Sequence, residues 1–145
     1  MLAFHDVQQC RGEFHIEIHR DGKVIETFGD HNLVVNSGRA RLAELAAGKS
    51  DRTITQIGLG TGSATEAEED TALENQQLFP LSAVSVEGRD ARFDFVIGEN
   101  DANGLAIREF GLFCSDGTMF THRVRRGVIE KESDIELHGY WILHF

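Results

Sequence analysis

The apolar positions of this chain alternate with polar ones over most of its length. Residues 13–19 set the pattern: Phe14, Ile16 and Ile18 point one way, and Glu13, His15, Glu17 and His19 point the other. A period of two over seven residues predicts a half-buried β-strand. Asp21-Gly22 is a turn dipeptide, and residues 23–28 return as a second strand, so residues 13–28 read as a hairpin. His31–Val35 forms another short extended run. Residues 53–59 predict a strand, and 81–87 and 91–98 predict a pair around Glu87-Gly88-Arg89-Asp90, with Phe93, Phe95 and Ile97 facing the core. Residues 99–104 form a polar turn. Residues 106–113 and the run through Met119 and Phe120 make a hairpin about Asp116-Gly117. The last segment alternates Ile135, Leu137, Trp141, Leu143 and Phe145 against Glu136, His138, Tyr140, Ile142 and His144, which predicts a strand pinned in a sheet to its final residue.

One stretch breaks the alternation. Residues 37–48 carry Ala40, Leu42, Ala43, Leu45 and Ala46 as an apolar stripe, with Arg39, Arg41 and Glu44 expected in solvent. Asn36 or Ser37 offers an N-cap and Gly48 a stop. Residues 61–76 contain Glu66, Glu68, Glu69, Asp70 and Glu74 with no basic residue, and read as a long exposed loop. Together these elements predict a single mainly β domain over 1–145, an antiparallel β-sandwich or partly open barrel with one short α-helix at about 37–48, and an N-terminal arm over 1–12.

Composition narrows the partners. The 145 residues hold 14 basic and 24 acidic side chains, a net charge of −10. Phosphate contacts need clustered Lys and Arg, so neither nucleic acid nor an anionic membrane is an expected partner. No run approaches the ~18 consecutive apolar residues of a spanning helix, and the first 15 residues lack the basic start and apolar core of a secretory signal. Two cysteines, Cys10 and Cys114, are too few for a disulfide framework and are read as reduced thiols.

Several motifs invite a chemical reading and fail it. Gly58-Leu59-Gly60-Thr61-Gly62 follows a strand, but a dinucleotide fingerprint needs glycine where Ser63 stands, and acids follow rather than a helix. The glycines are better read as places where side chains would clash. Gly48-Lys49-Ser50 ends a helix, whereas a phosphate loop must precede one. His15 and His19 share a strand face but lie roughly 13 Å apart at strand rise, too far to ligate one ion at about 2 Å. Asn100–Gly104 lacks the closing Glu of a calcium loop. No nucleophile, base and orienting group can be assembled. No catalytic residue, metal or cofactor is therefore expected.

The order of the remaining segments is informative. Asn32-Leu33-Val34-Val35-Asn36-Ser37-Gly38 precedes the short helix. Ile57-Gly58-Leu59-Gly60-Thr61-Gly62 follows it. Arg108-Glu109-Phe110-Gly111-Leu112-Phe113, the Asp116-Gly117 turn, Lys131 and the alternating C-terminal strand complete the series. Over roughly residues 22–145 this order resembles a family of small phage and prophage tail proteins, of tail-fibre or tail-collar type. The resemblance implies a structural part of a virion tail, made in the bacterial host cytoplasm, acting in assembly or host attachment alongside other tail or baseplate proteins. It carries over Asn32, Asn36, Gly60, Thr61, Gly62, Glu109, Gly111, Leu112, Phe113 and Lys131 as fold-defining positions. Glu109, on a face read as carrying Ile107 and Phe113, should be partly buried and need hydrogen-bond partners. Tail fibres continue into a shaft, whereas this sequence ends at Phe145, which points to an adaptor, collar or baseplate-level part.

Arg123, Arg125 and Arg126 form the one basic cluster. They are either a solvated edge that discourages strand pairing, or an interface with Glu66, Glu68, Glu69 and Asp70 of a neighbouring copy in a homo-oligomer. The alternative functional reading is a small carbohydrate-binding β-sandwich, with Tyr140 or Trp141 as its stacking platform.

Overall fold

The computed structural model describes residues 11–145. The expected N-terminal arm lies outside them, apart from Arg11 and Gly12, and so does Cys10. The elements run β1 (Arg11–Arg20), β2 (Lys23–Val34), α1 (Asn36–Ala46), β3 (Ile54–Gly60), β4 (Gln77–Pro80), β5 (Ala83–Glu87), β6 (Asp90–Ile97), β7 (Ala106–Cys114), β8 (Met119–Glu130) and β9 (Ile135–His144). The fold is mainly β with a single short helix, and the strands form one antiparallel sheet, ordered β4-β3-β7-β8-β2-β1-β9-β6-β5 and curled into a half-barrel.

The sheet has a weak seam. β2 joins β8 through two residue pairs only, Leu33–His122 and Val34–Thr121. Beyond them the strands fork, leaving β4-β3-β7-β8 on one side and β2-β1-β9-β6-β5 on the other. The apolar faces of both halves meet in the hollow of the curl. Phe14 of β1 sits at the meeting point, 4.6 Å by ring centroid from Trp141 and 4.7 Å from Phe110. Full burial of each large side chain of this kind stabilises by about 1.5–3 kcal/mol, so the halves are held by their core more than by the two-pair seam.

The structure departs from the sequence pattern in several places. Residues 31–34 are not a separate run but the end of β2, because the β1–β2 ladder continues unbroken from Arg20–Lys23 to Gly12–Asn32 apart from a bulge at Ile18/His19. β4 was not expected; it is a four-residue edge that ends in Pro80, a residue with no N–H to extend the ladder. Phe145 is 44% exposed, because β9 ends at His144. α1 is capped by Val35 without a side-chain bond. Its first turn is held from outside instead: Asn36 N–H donates to Glu68 O, and Ser37 Oγ donates to Met119 O. Its apolar stripe is also not where the pattern put it, since Ala40, Ala43 and Ala46 are exposed, Leu42 and Leu45 half-buried, and Arg41 buried.

β7 is buried on both faces from Glu109 to Cys114. A register shift between Ile107 and Glu109 turns the strand over. Ile107, Phe110, Leu112 and Cys114 then enter the main core, while Phe113 joins a second cluster with Val35, Leu73 and Met119. Ile107 therefore does not share a face with Glu109, as strict alternation required. Among the described residues no helix is long and apolar enough to cross a membrane.

Candidate functional site

Five of the residues singled out by their order, Gly60, Gly62, Glu109, Gly111 and Phe113, converge behind β7, on the face away from the main core. The β3–β7 ladder sets Gly58 opposite Gly111, Leu59 opposite Phe110 and Gly60 opposite Glu109. Phe113 lays its ring over the two paired glycines: a Cβ on Gly58 would lie 2.3 Å from Phe113 Cε1, and one on Gly111 would lie 3.0 Å from it and 2.8 Å from Thr121 O. The next two glycines clear space for a carboxylate, since a Cβ on Gly60 or Gly62 would lie 2.7 Å or 2.4 Å from Glu109 Oε2. The Gly-rich run is thus the floor of a packing site for Phe113 and Glu109.

Glu109 is 3% exposed and fully engaged. Its Oε2 accepts from the Gly62 N–H (2.6 Å) and the Glu74 N–H (2.9 Å), and Oε1 lies 2.7 Å from His122 Nε2. The other ring nitrogen, His122 Nδ1, lies 2.7 Å from Asp70 Oδ2. A ring with a carboxylate at each nitrogen donates from both as an imidazolium. Burial opposes that charge, yet Glu109 and Asp70 outweigh it and hold the His122 pKa above its ordinary value. Burial likewise acts to raise Glu109, but His122 and the Glu74 and Gly62 amides keep it below the usual carboxylate range. For Asp70, burial is outweighed by the Ala67 N–H and His122.

The chemical consequence is closure. Neither ring nitrogen keeps a free lone pair, so His122 is no general base. The triad instead ties the 61–76 loop to the sheet at Gly62, Asp70 and Glu74. Thr61 N–H adds a bond to Glu74 O, Asn75 Nδ2 donates to Thr61 Oγ1, and Leu73 plugs the second cluster. This loop is therefore partly buried and pinned, where an exposed one was expected.

Two further cations staple turns. Lys131, 1% exposed, donates from Nζ to Asn103 Oδ1 (2.8 Å) and Glu132 O (2.9 Å), while Gly104 N–H donates to Lys131 O. Residues 100–104, a candidate calcium loop only by composition, are thereby folded around an ammonium group. Arg41, expected in solvent, is 8% exposed and reaches from α1 to the β7–β8 turn. Its guanidinium donates to Asp116 Oδ2 (2.7 Å), Thr118 Oγ1 and Arg52 O. The Asp116 carboxylate holds that guanidinium well above its ordinary pKa, and Arg41 in turn holds Asp116 well below.

The basic cluster faces the fork. Arg123 donates to the Asp30 carboxylate and to His31 O, and lies 3.2 Å from Glu66 Oε1. Glu66 also accepts from Val124 N–H. Arg125 pairs with Glu26 at 2.7 Å and lies over the Phe28 ring. These contacts bridge β8 to β2 where backbone pairing has stopped. The structure so brings Glu66 to Arg123, and Asp70 to His122, within one chain. Glu68, Glu69 and Arg126 stay exposed, and Arg125 and Arg126 do not meet the acidic loop.

On the outer face of β1 and β9, Trp141 is absent because it is wholly buried in the core. Tyr140 stacks on His15 (4.7 Å) from the β1 side and carries the Arg92 guanidinium 3.9 Å from its ring centroid on the β6 side. A cavity of about 550 Å³ lies on this surface, lined by His15, Glu17, Thr27, Asp94, His138 and Tyr140 among others. Among the described residues no group of three or more His, Cys, Asp or Glu side chains is placed to hold a metal ion.

Sequence reasoning missed His122, Asp116 and Asp30, whose partners lie 13 to 93 residues away in the chain. The one available signal was the hairpin register about Asp116-Gly117, which puts His122 opposite Gly111. Comparison with known proteins finds no match: no family model, no curated protein and no solved structure is significantly similar to the chain.

Proposed function

We propose that this protein is a structural component of a phage or prophage tail, a tail-fibre adaptor, collar or baseplate-level part that acts in virion assembly or host attachment. The observation that carries the reading is the interlock of Gly58, Gly60 and Gly62 with Glu109 and Phe113. The segments whose order resembles the tail family fit one another residue by residue, and their charged members are spent on holding loops. Chemistry of that kind suits a part that works by shape and by contact with other tail proteins. Its place is the virion tail, after synthesis in the host cytoplasm. Within this reading the copies form a homo-oligomer, and Glu68, Glu69 and Arg126 are the charges left exposed for an interface.

Immunogold labelling tests it. Antibody raised against the purified protein should decorate the tails of density-banded particles from a lysogen that carries the gene. Unlabelled tails, with all of the protein recovered in the particle-free cytosol, would overturn the reading.

A further inference from the structure

We propose that the cavity on the outer face of β2, β1, β9 and β6 binds an uncharged oligosaccharide. Two rows of residues cross these four strands and line it. One runs from Gly29 through His15 and Tyr140 to Asp94, the other from Thr27 through Glu17 and His138 to Val96. Three steps between strands, at about 4.8 Å each, make the rows roughly 14 Å long. The volume of about 550 Å³ lies within the ~300–1,000 Å³ range of small-molecule sites. Such a trough suits a ligand of several linked units.

The chemistry of the lining selects the ligand class. Its charges are already matched: Arg92 donates from Nε to Asp94 Oδ1 (3.0 Å), Glu17 lies 3.2 Å from His19, and His138 lies 3.7 Å from Glu136. Four lining side chains stand apart. Among the described residues, His15, Thr27, Ser82 and Tyr140 make no side-chain hydrogen bond. Three of them are hydroxyls, which donate and accept, and a neutral imidazole also does both. A ligand with hydroxyls along its length answers both functions. A phosphate, sulfate or carboxylate would find Arg92 already paired and would face the Glu17 and Asp94 carboxylates. The Tyr140 ring is held by His15 at 4.7 Å and by Arg92 at 3.9 Å, which fixes where its hydroxyl can bond before any ligand arrives. Phe28 and the 44% exposed Val96 also line the cavity and offer apolar surface to the C–H faces of sugar rings. The site rests on no part of the tail reading.

A glycan array of neutral, sialylated and sulfated oligosaccharides, probed with the labelled purified protein at pH 8, tests the proposal. Neutral oligosaccharides should be retained and charged ones should not. Isothermal titration of the strongest neutral oligosaccharide should give one saturable site. Tyr140→Phe, Thr27→Val and Ser82→Ala each remove one hydroxyl, and each should weaken binding about two- to tenfold, the worth of one hydrogen bond. Lys49→Ala, exposed and away from the cavity, should leave it unchanged. Circular dichroism should show these surface variants folded. No retention of neutral oligosaccharides, retention of charged ones in preference, or equal affinity in wild type and all three hydroxyl variants would overturn it.

Discussion

Glu109 Oε1 and His122 Nε2 lie 2.7 Å apart in the interior, an ion pair that closes the 61–76 loop onto the sheet. Removing the carboxylate leaves the Gly62 and Glu74 amides and the His122 ring without their acceptor. Glu109→Ala should cost about 1–3 kcal/mol for the buried donors left unpaired, read as a lower urea midpoint. An unchanged midpoint would show that the loop closes without it.

The same pair sets a pH window. The folded pKa of His122 is raised above 6.5, so its stabilisation is whole below that value and is lost as pH rises through the raised pKa. Asp70 and Glu109 are held below 3.8 and 4.5, so theirs is whole above those values and is lost as pH falls through the lowered ones. The melting temperature should therefore be highest on the acid side of neutrality and decline on either side. His144, raised by Asp90 and Glu13, acts with the same sign as His122 but is more exposed. His122→Gln should flatten most of the alkaline decline, and His144→Gln little of it.

Phe113 makes the glycine floor testable by coupling. Gly58→Ala forces a methyl group against the Phe113 ring, an overpacking worth about 1–3 kcal/mol. Phe113→Leu removes the obstructing ring edge, so the double variant should lose less than the sum of the singles. Gly111→Val meets Thr121 O as well, a backbone atom that cannot turn aside. It should stay destabilised with Phe113→Leu. Additive losses at Gly58 would place the ring elsewhere.

Salt dependence separates the two uses of charge. Arg123 and Arg125 are engaged across the fork with Asp30, Glu66 and Glu26, and Glu68 lies 3.9 Å from Arg39, while Glu68, Glu69 and Arg126 stay exposed. If these steer self-association, light scattering should show dissociation as the Debye length falls from about 10 Å at 0.1 M to about 3 Å at 1 M salt. Arg126→Ser should reproduce the effect at low salt. An oligomer indifferent to both would be held by apolar contacts.

Much of the fold was legible because period-two alternation survives in β1, β6 and β9, whose outer faces are polar. It failed at β7, where a bulge beside Arg108 turns the strand over and both faces are then covered, and at α1, which leans on a buried Arg41 instead of its alanines. Glu109 was legible as a buried acid because it stands in an apolar strand. His122 and Asp116 were not, since their meaning comes from partners that only the folded topology brings near. The acid-rich loop misled for a physical reason: two of its charges, Glu66 and Asp70, are matched by Arg123 and His122 of its own chain rather than by solvent or another copy.

The claim that this chain acts by shape as part of a tail is tested most directly by deleting its gene from an inducible prophage and imaging the particles by negative-stain electron microscopy. Filled heads with tails that are absent or lack a terminal part are expected. Wild-type protein should restore them, and the Gly111→Val variant should restore few. Normal, infectious particles from the deletion strain would contradict the account.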